Sequence, residues 1–68
     1  MTARQLVAAL KRAGFHEHRQ TGSHLHLWHP AKQLLTTVPM HARDLGRPLV
    51  KGILKQAQLS EDELRKLL

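Results

Sequence analysis

The sequence predicts an α+β domain in which helices pack on one face of a three-stranded antiparallel sheet. Three observations support this fold class. Apolar residues recur at helical spacing near both ends of the chain, whereas the central segment alternates between polar and apolar residues. Gly and Pro residues divide that central segment into short strands. With 68 residues, the whole chain, residues 1–68, is expected to form one domain.

The first helix is predicted over residues 3–13. Thr2 and Gln5 have the spacing of a capping box, in which side chains bond the free N–H groups at a helix start. Apolar residues then recur every three or four positions. Gly14 follows the helix, where glycine is favoured because it adopts a positive φ without a steric penalty.

Three strands are predicted over residues 15–20, 23–29 and 34–38. Thr21-Gly22 marks the turn between the first two strands, and prolines end the second and the third. Alternation in the second strand separates its side chains onto two faces, with Leu25 and Leu27 on one and His24, His26 and Trp28 on the other. The short connections favour an antiparallel meander.

A second and a short third helix complete the predicted fold. Pro48 is expected to open the second helix, after a loop over residues 40–47, because proline suits the first helical position. Gly52 lies inside this helix and costs about 1 kcal/mol relative to Ala. Ser60 and Glu63 form a second capping box, from which the third helix begins.

The charge of the chain points to a polyanionic partner. Eleven Lys and Arg oppose five Asp and Glu, for a net charge of +6, and three of the acids are adjacent at positions 61–63. Such a surface attracts nucleic acid in the first place and an acidic protein in the second. No apolar run is long enough for a membrane span, so no membrane partner is expected. The absence of cysteine excludes disulfides and favours the cytoplasm.

Six histidines supply candidate acid/base groups, since the ordinary pKa of histidine lies near physiological pH. They are His16, His18, His24, His26, His29 and His41. The i, i+2 pairs His16/His18 and His24/His26 are each expected on one strand face and could chelate a metal. Acidic co-ligands are scarce and the positive charge opposes a dication, so no metal site is expected. A chain of 68 residues has no room for a deep cleft, so no small-molecule cofactor is expected either.

His24 has the setting best suited to RNA chemistry, because it follows Gly22 and Ser23 directly after the predicted turn. Glycine lets a phosphate approach the backbone closely, and Ser23 offers a hydroxyl and an N–H. RNA cleavage needs a base that takes the 2′-hydroxyl proton beside such phosphate-binding groups. The alternative is an ordinary histidine on a solvated strand.

A basic series on the second helix is the other candidate feature. Arg47, Lys51 and Lys55 stand four residues apart and share one helix face, with Arg43 just before them in the loop. They could bind the RNA backbone or form an ordinary solvated face. Trp28 could stack on a base, fill the sheet edge or contact a protein partner.

An ordered set of residues over nearly the whole chain resembles the HicA toxin family, the mRNA interferase half of bacterial type II toxin–antitoxin pairs. The matching residues are Gly14-Phe15, Arg19-Gln20, Gly22-Ser23-His24, His29-Pro30, Val38-Pro39, His41, Pro48 and Ile53-Leu54-Lys55-Gln56-Ala57. The resemblance implies the α-β-β-β-α fold of a double-stranded-RNA-binding domain. It also implies metal-independent RNA cleavage with the catalytic histidine at His24, and a HicB antitoxin that blocks the active site.

The chain departs from the family pattern at a few positions. Gln58 stands where the family often has Gly, and Glu17 and His18 stand where it often has apolar residues. None of these touches Gly22-Ser23-His24. The second acid/base is left open among His26, His41 and Lys51.

The leading functional hypothesis is an endoribonuclease toxin that acts on mRNA and is neutralised by a HicB-type antitoxin. A non-catalytic RNA-binding module of the same fold is the alternative. A DNA-binding regulator that inserts the Pro48 helix into the major groove is a third possibility, without a helix-turn-helix pattern to support it.

Overall fold

The structure, a computed structural model, describes residues 1–41 and 43–68. It has the α-β-β-β-α order predicted from the sequence, followed by the short C-terminal helix. The elements are α1 (Ala3–Arg12), β1 (His16–Thr21), β2 (His24–His29), β3 (Leu34–Pro39), α2 (Arg47–Ala57) and α3 (Glu61–Leu67). The strands form one open antiparallel sheet in the order β1-β2-β3. The predicted α+β fold class is confirmed.

The predicted boundaries differ from the observed ones by one residue at most. The largest consequence is at α2, where Arg47 and not Pro48 is the first helical residue, with Gly46 as the N-cap. Proline is tolerated one position later because the first N–H groups of a helix have no partner inside it. Position 42 of the predicted loop lies outside the described residues.

Both ends of α1 follow the sequence prediction. The Gln5 N–H donates to Thr2 Oγ1 at 3.1 Å and the Thr2 N–H donates to Gln5 Oε1 at 2.8 Å, which completes the capping box. At the C-terminus Gly14 has φ 105, and the Phe15 N–H donates to the Leu10 carbonyl at 3.0 Å. This hydrogen-bond pattern ends the helix and turns Phe15 back into the core.

The end of α2 repeats this geometry without a glycine. The Leu59 N–H donates to the Leu54 carbonyl at 2.9 Å, and Gln58 between them has φ 55 and ψ 42. A side chain in this left-handed conformation brings Cβ close to the following carbonyl oxygen, which glycine avoids.

Burial along β2 alternates as the sequence predicts. Leu25 and Leu27 are buried against the helices, whereas His24 is exposed and His26 and Trp28 are half-buried on the opposite face. Residues directly opposite each other in an antiparallel pair share a face. The pairing register therefore defines the face away from the helices, here called the open face: His16, Arg19, Thr21, His24, His26, Trp28, Leu35, Thr37 and Pro39.

A bulge in β1 changes how this strand pairs with β2. His16 pairs with Trp28, but the next residue paired on the open face is Arg19, opposite His26, because the register shifts between Glu17 and Arg19. The extra residue, His18, has no paired residue in β2. Arg19 is therefore the residue of β1 that lies opposite His26, next to His16 among the paired residues of the open face.

The core lies between the helix face of the sheet and the helices. Among the described residues, fourteen apolar ones, including Phe15, Leu27 and Val38, form one buried cluster to which all three helices contribute. The buried Thr36 hydroxyl lies 3.3 Å from the Ile53 carbonyl and 3.1 Å from Gln56 Oε1, which ties β3 to α2. None of the helices in the described ranges is long and apolar enough to cross a bilayer.

The left-handed residue at the end of α2 generates a stability prediction. Replacing Gln58 with Gly should raise the free energy of unfolding by roughly 1 kcal/mol, because glycine avoids the steric cost of a positive φ. Gln58→Ala is the control, since it removes the side chain but keeps Cβ. Chemical denaturation measures both. Equal stabilities for the Gly and Ala variants would contradict the prediction.

The capping box of α3 generates a pH prediction. The Ser60 backbone N–H, which donates to Glu63 Oε1 at 3.0 Å, lowers the pKa of Glu63 below its ordinary value of 4.5. Because the folded pKa is the lower one, this stabilisation is present above the unfolded pKa and is lost as pH falls through the folded value. The stability difference between wild type and Glu63→Gln, which keeps the acceptor, should shrink between about pH 6 and pH 3 in denaturation experiments. A difference independent of pH would show that ionised Glu63 makes no such contribution.

Candidate active site

His24 is the first residue of β2 and follows a two-residue turn made by Gly22 and Ser23. Gly22 has φ 59, as glycine has at the first central position of a type II′ hairpin turn. The position that a Cβ of Gly22 would occupy has no heavy atom within 4 Å. The turn therefore presents an open stretch of backbone next to an exposed imidazole.

The end of β3 brings a second histidine to His24. His24 pairs with Pro39, and the Met40 N–H continues the ladder by donating to the Ser23 carbonyl at 2.6 Å. His41 follows directly, and its ring centroid lies 6.3 Å from that of His24 with the planes at 74°. Both histidines are exposed, so the two imidazoles form an accessible pair on one surface.

His26 lies two residues after His24 on the open face and contacts Thr37 of β3. Its Nδ1 is 2.9 Å from the Thr37 hydroxyl, across the β2–β3 pairing, and the side chain is half-buried. One ring nitrogen is thus engaged within the sheet. The sequence offers no local signal for this contact, because the partner comes from another strand.

His29 has a structural role. The Lys32 N–H donates to its Nδ1 at 3.1 Å, and its Nε2 lies 3.2 Å from the Ala13 carbonyl, so the ring carries its proton on Nε2. The ring is buried and meets Phe15 edge-on at a centroid distance of 5.1 Å. A Cβ at Gly14 would lie 2.7 Å from Nε2, so this position needs glycine for space as well as for its φ.

The remaining histidines, His16 and His18, are exposed on and beside the bulged part of β1. Within residues 1–41 and 43–68, no group of three His, Asp or Glu side chains is arranged to hold one metal ion. The structure thus divides the histidines by environment, with His24 and His41 paired in solvent, His26 bonded in the sheet and His29 in the core.

Two residues of the basic series on α2 lie within ion-pair distance of an acidic residue. Glu61 at the start of α3 lies 3.9 Å from Arg47 and 3.7 Å from Lys51. At these distances and on an exposed surface the pairs contribute little to stability. Lys55 and Arg43 are exposed. Two of the predicted RNA-binding residues therefore face α3, whereas Gly22, Ser23, His24 and His41 come together at the turn.

Comparison of the sequence with protein-family models identifies a family that covers this site. The family model of the HicA toxin of bacterial toxin–antitoxin systems matches residues 3–59 of the 68-residue chain. The match includes the turn at Gly22, both paired histidines and α2. A search of curated proteins found no match. The chain thus belongs to the HicA toxin family, and its role is that of the toxin in a toxin–antitoxin pair.

Proposed function

We propose that the protein is an endoribonuclease, an mRNA interferase that cleaves mRNA with His24 as general acid/base and is neutralised by a HicB-type antitoxin. The observation that carries this proposal is the exposed His24–His41 pair, 6.3 Å apart between ring centroids, beside the open turn at Gly22. A base, an acid and a place for phosphate are the parts that RNA transesterification requires.

The reaction needs two proton transfers around one phosphorus. The 2′-hydroxyl of RNA loses its proton to the imidazole of His24, and the O2′–P bond forms. The P–O5′ bond breaks, and the leaving O5′ takes a proton from a second group. The products are a 2′,3′-cyclic phosphate and a free 5′-hydroxyl. Only side chains of the protein and the substrate take part in these steps.

His41 is the best candidate for the second group. Its ring centroid lies 6.3 Å from that of His24 with the planes at 74°, and both side chains are exposed, so one phosphodiester can approach both imidazoles from solvent. His26 has one ring nitrogen engaged by Thr37, and the Lys51 ammonium lies 3.7 Å from Glu61. Two separately placed imidazoles can hold opposite protonation states, as a base and an acid acting together must.

In this proposal, phosphate groups bind at the turn and at the basic residues of α2 and of the loop before it. The free space at Gly22 allows a phosphate oxygen to approach the backbone, and Ser23 adds a hydroxyl. Arg43, Arg47, Lys51 and Lys55 supply positive charge for the rest of the strand. In this proposal the RNA displaces Glu61 from Arg47 and Lys51.

The same charge explains how an antitoxin would neutralise the protein. A HicB-type partner that places acidic groups over His24 and the turn would compete with the RNA backbone for one surface. Its charge would complement the +6 of the chain. Binding and inhibition would then be the same event.

Replacing His24 with Ala tests the catalytic assignment. We expect cleavage of an RNA oligonucleotide to fall by about 10²–10⁴-fold, because the base for the 2′-hydroxyl is lost. His18→Ala is the matched control, since His18 is also exposed but lies at the bulge. Denaturing gels measure cleavage, and induced expression measures growth arrest. Full activity of His24→Ala would refute the assignment, and wild type that binds RNA but leaves it intact would support a binding module instead.

A substrate with a better leaving group tests the role of His41. We expect His41→Ala to cleave RNA about 10²–10⁴-fold more slowly, because O5′ leaves unprotonated. A ribonucleoside 3′-(4-nitrophenyl phosphate) needs no such proton, so the defect of His41→Ala should largely disappear with it.

The other histidine variants provide the comparison. His24→Ala should stay defective with the nitrophenyl ester, since that ester still needs a base. His26→Ala should resemble wild type with both substrates. Equal defects of His41→Ala on both substrates would show that His41 is not the acid.

A further inference from the structure

Beyond His24, the open face carries side chains in three rows across the strands. The first row is Thr21, His24 and Pro39; the second is Arg19, His26 and Thr37; the third is His16, Trp28 and Leu35. Alternate residues of a strand are about 6.6–6.8 Å apart, so each row lies that far from the next. The rows run along β2 away from the candidate cleavage site.

The open face contains no acidic side chain. Glu17, the acid nearest to it in sequence, pairs with Leu27 in register and forms an ion pair with Lys11 of α1 on the helix side. The other four acids are Asp44, Glu61, Asp62 and Glu63, outside the sheet. With Arg19 in its middle row, the face is electrostatically suited to an anionic chain.

Trp28 supplies an aromatic surface in the third row. It is half-buried between His16 and Leu35, and Leu35 is 49% exposed. Its intermediate burial leaves part of Trp28 accessible at the surface of the sheet. Accessible aromatic rings on a sheet are platforms for unpaired bases.

From these three features we propose that the open face is a binding track for single-stranded RNA, with Arg19 at a phosphate next to the scissile one and Trp28 stacking on a base beyond it. The inference rests on the proposed function, since His24 marks where the track begins. It narrows the substrate class from RNA in general to single-stranded RNA, because the bases of a continuous duplex are stacked on one another and cannot reach Trp28. The row spacing suits an extended strand laid along β2.

A protein partner fits this face less well than RNA. A protein that covered Trp28 and Leu35 would also cover Arg19 and His26, and would have to supply acceptors to polar groups in the centre of the patch. A nucleotide chain alternates phosphates and bases and so matches the alternation of cationic and aromatic rows.

The fluorescence of Trp28 tests the track directly, since it is the only tryptophan in the chain. The probe is a ten-nucleotide single-stranded RNA added to the full-length His24→Ala variant, which should bind without cleaving. We expect the RNA to quench the indole emission as it binds, whereas a blunt RNA duplex of the same length should leave it unchanged. Binding of the single strand, seen by anisotropy, without any quenching would overturn the proposal.

Variants locate the contacts. In the same background, Trp28→Ala should weaken binding of the ten-nucleotide RNA by roughly 5–150-fold, and Trp28→Phe should retain most of the affinity. Leu49→Ala, at an exposed leucine of α2, is the matched control. Arg19→Gln should weaken binding and reduce the slope of log K against log salt by about one charge. Unchanged RNA affinity in both Trp28→Ala and Arg19→Gln would also overturn the proposal of a binding track.

Cleavage assays separate this inference from the proposed function. With His24 intact, Trp28→Ala should cleave a dinucleotide as wild type does, because the dinucleotide does not reach the third row, but should have a raised KM for the ten-nucleotide RNA. Quenching by RNA that wild type never cleaves would support the track and refute the nuclease. If Trp28→Ala instead loses only inhibition by the antitoxin, with RNA binding unchanged, the face is a protein-docking surface and the proposal fails.

Discussion

The pairing of β2 with β3 is the constraint on which the rest of the structure depends. Its register sets Leu25 against Val38 and Leu27 against Thr36, and all four are buried. A shift of one residue would turn both leucines to solvent and bury His24 and His26. The burial of apolar surface therefore fixes the position of every other side chain on these strands, including those proposed to act on RNA.

The candidate site is a product of that register. Because His24 pairs with Pro39, the chain leaving β3 passes the turn, is bonded to Ser23 through Met40 and delivers His41 to His24. The same register sets Thr37 opposite His26. A small chain cannot form a deep cleft, but an antiparallel pair brings two distant segments together at one edge. Catalysis on a nearly flat surface is compatible with a polymer substrate that is held along its length.

The buried histidine His29 connects the end of β2 to the end of α1. His29 at the end of β2 bonds the Ala13 carbonyl at the end of α1 and packs on Phe15. Gly14 provides the space between them. The imidazole thus satisfies a helix-end carbonyl that would otherwise need water, in a protein whose core is limited by its length. The six histidines lie in different environments, and composition alone cannot separate them.

Local chemistry was enough to determine much of this protein from the sequence. The two capping boxes, Gly14 after α1 and the alternation of β2 are short-range patterns, because they depend on hydrogen bonds and side-chain directions within a few residues. They gave the order of elements and the two faces of β2, and the position of His24 after Gly22-Ser23 made it the candidate catalyst. What only the tertiary structure decided involves residues far apart in the chain. These features are the bulge that pairs Arg19 with His26, the burial of His29, the hydrogen bond between Thr37 and His26 and the approach of His41 to His24. All of them follow from strand register and packing, which are set by burial of the whole core and not by any local sequence pattern.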